Sequence, residues 1–196
     1  MCMYMRKNRN PETYSVLWFL LGCLAAGTAA GAIFANLTWP DYGMESQMPG
    51  IYLAEQLKKK PIASGQYVRY LCGRRLPFFL VIAVSGLTGM ARLMTALIFL
   101  VLGLFLGAAG SMALLQHGVK GFGIFIAVNL PHGIVYFLVL LRMMVTIYEW
   151  NGKIIRQVPG RIRSYVTMAV IGLLCWIAGI LLEAYVNPMI LKYLLL

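Results

Sequence analysis

Few residues in this sequence are equipped for chemistry. The carboxylates are Glu12, Asp41, Glu45, Glu55, Glu149 and Glu183, and the only histidines are His117 and His132. Hydrolysis needs a nucleophile beside a base, a carboxylate pair or a metal. None of the six acids falls within an apolar run, and no G-x-S-x-G elbow, H-E-x-x-H helix, Walker loop or dinucleotide fingerprint occurs. Cys2, Cys23, Cys72 and Cys175 have no paired spacing and read as small buried hydrophobes. A structural zinc site would need clustered Cys or His, and the two histidines stand far apart. No catalysis, metal or cofactor is expected. Coupled transport usually leaves ionisable groups inside the bilayer, and the candidates are Arg92, His132 and Arg142 with no facing carboxylate. The most informative spot is Asn129, Pro131 and His132. Proline removes a backbone donor, so a break is expected there, with Asn129 or His132 bonding the freed groups.

The elements that carry these residues are apolar. Hydrophobic residues make up 61% of the chain and charged ones 12%, against roughly 45–50% apolar usage in soluble domains. The fold class is therefore all-α, a polytopic transmembrane helical bundle of about five spans with broken or short helices. After a basic tail, 1–15, a single transmembrane domain covers 16–196. The run 16–37 is long enough to cross and exceeds a signal-peptide core, which makes it an uncleaved anchor. The run 78–91 is short and either crosses or turns back. The runs 93–115, 121–148 and 165–182 complete the count, with Glu183, Asn187 and Pro188 marking the end of the last.

In the first run, Gly22, Ala26 and Ala30 are spaced by four, as are Gly27 and Gly31. Gly22, Gly27 and Gly31 are expected to let helix backbones approach closely. The segment 38–76 is polar and reads as an interfacial amphipathic stretch of two short helices. Its Lys58, Lys59, Lys60, Arg74 and Arg75 are expected at the lipid surface. The formal charge of +11 fits anionic headgroups better than nucleic acid, because no basic stretch leads into a soluble module. The basic tail and the basic connector 149–164 place the N-terminus in the cytoplasm.

Several stretches together resemble the stage II sporulation protein M family of endospore-forming bacteria. They are Gly31-Ala32-Ile33-Phe34-Ala35-Asn36, Arg74-Arg75-Leu76-Pro77-Phe78, His117-Gly118-Val119-Lys120-Gly121 leading to Leu130-Pro131-His132 and Tyr136, and Glu183-Ala184-Tyr185-Val186-Asn187-Pro188. The resemblance runs from about residue 16 to the end. It implies a bacterial cell-membrane protein at the sporulation septum or engulfing membrane. Such a protein is a scaffold for two peptidoglycan hydrolases resembling stage II sporulation proteins D and P. A lipid-handling or small-solute transport role is the alternative, and association with further copies of the chain stays open.

Overall fold

The computed structural model describes residues 11–42, 64–88, 90–150 and 161–195. They form α1 (Pro11–Tyr42), α2 (Ser64–Ser85), α3 (Ala91–Trp150) and α4 (Arg161–Leu195). Apolar side chains surround these helices on all sides. Trp18, Leu37, Phe105 and Leu174 are each more than three-fifths exposed, which is how a helix looks when hydrocarbon is its solvent. Three helical stretches are long and apolar enough to cross a membrane, namely Tyr14–Thr38, Ala91–Glu149 and Ile162–Ile190. The chain is a membrane protein of all-α class. By length and composition the expected count of about five is not reached, because α2 carries Arg69, Arg74 and Arg75 and Ala91–Glu149 counts as one apolar stretch.

α3 is nevertheless bent back on itself. Gly118 sits at φ 60°, ψ −150°, a left-handed backbone geometry that disfavours any residue with a Cβ. A side chain on Gly110 would meet the rings of Phe122 and Phe125 at 3.5 Å. In a straight helix the separation from Gly110 to Phe125 would be about 22 Å. The two ends of α3 also meet, with the Arg92 guanidinium 5.4 Å over the Tyr148 ring. α3 is thus a helical hairpin of segments 91–117 and 119–150.

The break expected at Pro131 is absent, and the chain reverses instead at Gly118, in the gap between the runs 93–115 and 121–148. The backbone runs through Pro131 with helical dihedrals, and Gly118 is the departure recorded within α3. Asn129 does donate to the Phe125 carbonyl at 2.8 Å, but the carbonyl deprived of its donor by Pro131 is that of Ala127, one helical turn back from the proline. His132 instead brings Nε2 to 3.9 Å from the Glu183 carboxylate. A single missing hydrogen bond inside a long, packed helix is tolerated, whereas a glycine at positive φ can reverse the chain.

Other boundaries move as well. Residues 64–76, expected as part of an interfacial stretch, are the first half of α2, which continues through Pro77. Residues 38–42 of that expected stretch are the end of α1, and 43–63 lie outside the described residues. α4 runs past Glu183, Asn187 and Pro188 to Leu195, so these residues do not end the helix.

Two layers position the interior. In the first, α1 runs parallel to 91–117 at backbone contact. A Cβ on Gly27 would overlap the Leu100 carbonyl, and one on Gly31 that of Leu104; in return Gly103 meets the Leu24 carbonyl and Gly107 that of Thr28. Four glycines interlock, and Asn36 donates across to Ser111 at 2.9 Å. In the second layer, α4 runs antiparallel to both α2 and 119–150. Phe79, Ile82, Leu140, Met143, Met144, Ile147, Trp176 and Ile180 fill the space between them. Phe19 of α1 joins the layers through Tyr148, ring centroids 5.8 Å apart. Consecutive segments alternate in direction: α1, α2, 91–117, 119–150 and α4.

Candidate functional site

Helical spacing assembles a polar cluster from three of these segments. On α4, Trp176, Glu183 and Asn187 recur on one face, and His132 and Tyr136 are neighbours one turn apart on the facing segment. Gly179 leaves room for this facing segment, since a Cβ there would come within 2.5 Å of the Tyr136 ring. Arg75 enters from α2.

The centre is the Glu183 carboxylate, buried with a side chain 8% exposed. Arg75 grips it with both arms of its fork: Nη2 donates to Oε1 at 2.6 Å and Nε to Oε2 at 3.0 Å. The Tyr136 hydroxyl donates to Oε2 at 3.0 Å. Arg75 also lies 5.5 Å over the Tyr136 ring, and Tyr136 packs on Trp176 at 4.5 Å between centroids. The Trp176 indole N–H donates to the Arg75 carbonyl at 3.2 Å. A bidentate arginine in low dielectric is the strong form of a carboxylate partner. Its worth is set against the cost of taking both charges out of water, so such a pair specifies an arrangement more surely than it stabilises one.

The cluster is asymmetric. Arg75 is open on its outer side, its side chain 41% exposed, whereas His132 is 3% and Asn187 5% exposed. His132 Nε2 stands 3.9 Å from Glu183 Oε1, beyond a hydrogen bond, and its ring meets Tyr136 edge-on at 5.6 Å. His132 Nδ1 and Asn187 Oδ1 are buried with no hydrogen-bond partner among the described residues. Left unpaired, each such atom would cost about 1–3 kcal/mol in an apolar interior; a neutral His132 with its proton on Nδ1 satisfies both by donating to the neighbouring Asn187.

The residues singled out in the sequence are dispersed. Gly27 and Gly31 lie in the glycine interface of α1, but Gly22 does not: a Cβ there meets nothing within 4 Å. The Gly22-Ala26-Ala30 strip is turned outward, because it is offset around the helix from the strip that packs. Asn129 bonds its own helix, Pro131 is half-buried, and His132 alone of that group reaches the cluster. Arg74 is exposed, as a surface residue would be. Arg75 is corrected from the lipid surface to the interior ion pair, its fork captured by Glu183. Lys58, Lys59 and Lys60 lie outside the described residues. Among the described residues no group of three or more His, Cys, Asp or Glu is placed to hold a metal ion.

Sequence reasoning missed Glu183, Asn187 and Trp176. Treating Glu183 as the end of the last span hid its partnership with Arg75 and His132, and the argument that no carboxylate faces the intramembrane cations falls with it. The signal that was there to use is the pair of polar i, i+4 steps, His132 to Tyr136 and Glu183 to Asn187, in otherwise apolar helices. Compared with protein-family models, curated proteins and solved structures, the chain matches none.

Proposed function

We propose that this chain is a non-catalytic membrane scaffold, resembling the stage II sporulation protein M family, that anchors cell-wall hydrolases in the bacterial cell membrane during engulfment. It crosses five times: once by α1, once by α2, twice by the α3 hairpin and once by α4, with the N-terminus in the cytoplasm. The alternating directions of the five segments support that count, and the capture of Arg75 by Glu183 lowers the cost of carrying α2 through hydrocarbon. The observation that carries the scaffold reading is the interlocked glycine face of α1 and 91–117. Backbone-to-backbone packing makes a stiff body without helping any reaction, and a stiff body with an apolar exterior suits the anchoring of other membrane helices.

The test is co-purification from sporulating cells. The scaffold reading expects peptidoglycan hydrolases to be retained by the parent chain and lost from Gly31→Ile. It expects the purified chain to have no hydrolase activity of its own. Retention of the same partners by a chain that no longer packs α1 would overturn it.

A second reading, transport of a small solute or lipid, is favoured by one observation: a carboxylate, a guanidinium and a histidine meet in the interior, as intramembrane ionisable groups do on translocation pathways. Proteoliposomes that move a solute or lipid, and stop doing so in Glu183→Gln, would replace the scaffold reading with this one.

A further inference from the structure

The outward face of α2 changes chemistry along its length. Its C-terminal half shows Leu80, Val81 and Val84, each more than half exposed, as a helix in hydrocarbon does. Its N-terminal half shows Gln66, Arg69, Tyr70 and Arg74 on the same side, all exposed. We propose that this N-terminal half is a binding site for one anionic phospholipid of the outer leaflet, whose headgroup phosphate is held between Arg69 and Arg74. The inference rests on the reading that α2 crosses the membrane, and it goes beyond the scaffold role by assigning the chain a ligand.

Depth is what makes an anion necessary. Gly86, just past the end of α2, packs against Tyr165 and Ile147, and Tyr165 follows Arg163 in the first turns of α4, so this end of α2 lies near the cytoplasmic surface. At about 1.5 Å per residue Arg74 stands ~17 Å beyond Ser85 and Arg69 ~24 Å, both within a hydrocarbon layer of about 30 Å. Among the described residues neither has a carboxylate partner, since Glu183 is taken by Arg75. An exposed cation at that depth needs an anion or a route to the headgroups. Side chains on a helix lean toward its N-terminus, which in α2 is the outer end. Arg74 therefore leans past Tyr70, one turn above it, toward the level of Arg69. A phosphate drawn down beside Tyr70 meets both guanidiniums, whose planar forks match its oxygens.

The surface has room for the headgroup. A Cβ on Gly65 or Gly73 would meet nothing within 4 Å, and a hollow of about 600 Å³ opens at this end of α2, lined among the described residues by Gly65, Gln66, Arg69 and Tyr70. The Gln66 amide and the Tyr70 hydroxyl add neutral donors for phosphate or glycerol oxygens. Below them the exposed Leu80 and Val81 give an acyl chain an apolar track. That continuity favours a lipid over a free phosphate ion, which would reach Arg74 only by leaving water. A zwitterionic headgroup is disfavoured, because its own ammonium would face two arginines.

Native mass spectrometry of the purified chain in detergent, titrated with phosphatidylglycerol or with phosphatidylcholine, reads the site. The parent should bind its first phosphatidylglycerol at least fivefold more tightly than phosphatidylcholine. Arg74→Gln should weaken that first binding at least fivefold and Arg69→Gln at least twofold. Both arginines lie off the packed face of α2, so these variants should unfold at the parent's temperature. Arg163→Gln, which removes an exposed cation near the opposite surface, should change the binding less than twofold, and millimolar inorganic phosphate should not displace the lipid. Side-specific labelling of Gln66→Cys and Thr88→Cys separates the two readings involved. If the cysteines label from opposite sides, α2 crosses, and the lipid site alone is overturned by equal binding of the two lipids, by equal losses in Arg74→Gln and Arg163→Gln, or by displacement with inorganic phosphate. If they label from one side, the crossing is overturned and this site with it.

Discussion

Removing one partner of the Arg75–Glu183 pair should be unequal in its cost, and the inequality follows from exposure. Arg75→Met strands a carboxylate whose side chain is 8% exposed and leaves it one donor, the Tyr136 hydroxyl. Loss of a buried partner of this kind costs about 3–5 kcal/mol. Glu183→Leu strands a guanidinium that is 41% exposed on the lipid-facing side of α2, where a long arginine side chain can snorkel toward the headgroups, which reduces the cost to about 1–3 kcal/mol. The double variant removes both charges and the desolvation of each, so it should lie within about 1 kcal/mol of the parent. The assay is equilibrium unfolding in mixed micelles, with the two single variants and the double completing a cycle. A coupling of at least about 3 kcal/mol is expected from these figures. The reasoning is refuted if Glu183→Leu is the more damaging single change. It is also refuted if the double variant loses the sum of the two, for then the residues do not act as a pair.

Other outcomes are expected from the same geometry. Ile at Gly27 or Gly31 should cost at least about 3 kcal/mol, since the new side chain meets backbone rather than a movable side chain, whereas Gly22→Ile should stay within about 0.5 kcal/mol because that position faces outward; thermal unfolding in one detergent ranks them. Gly118→Ala should destabilise by about 1 kcal/mol because of its φ of 60°. Pro131→Ala should stay within about 1 kcal/mol of the parent, because the helix already runs through that position and the Ala127 carbonyl regains a donor; the reverse ranking of the last two would return the break to Pro131. Tyr136→Phe should cost about 1.5–3 kcal/mol through the lost bond to a charged acceptor, read in the same unfolding assay.

How much of this was legible in the sequence varied with the range of the physics. The membrane class, the helical class and the Gly27–Gly31 strip are local properties, set by hydropathy and by spacing along one helix. Which of the two small-residue strips packs is not local. It depends on the answering Gly103 and Gly107 a long way down the chain. Pro131 was given too much weight because proline is the stronger breaker in isolation, whereas a packed helix absorbs one missing bond and Gly118 can take a φ that proline cannot. Arg75 read as a surface cation because it follows Arg74 in a polar stretch, and only the antiparallel packing of α2 on α4 brings Glu183 to it. His132 was flagged for its place beside a proline, but its importance lies in what faces it from α4.

The central claim is that Arg75 and Glu183 meet inside the membrane because α2 crosses it. Side-specific cysteine labelling in intact cells and in inverted vesicles tests this most directly. The natural cysteines are replaced and single cysteines introduced at Gln66, Thr88, His117 and Ser164. The account predicts that Gln66→Cys and His117→Cys react from outside while Thr88→Cys and Ser164→Cys react only from the cytoplasmic side. Labelling of Gln66→Cys and Thr88→Cys from the same side would contradict it.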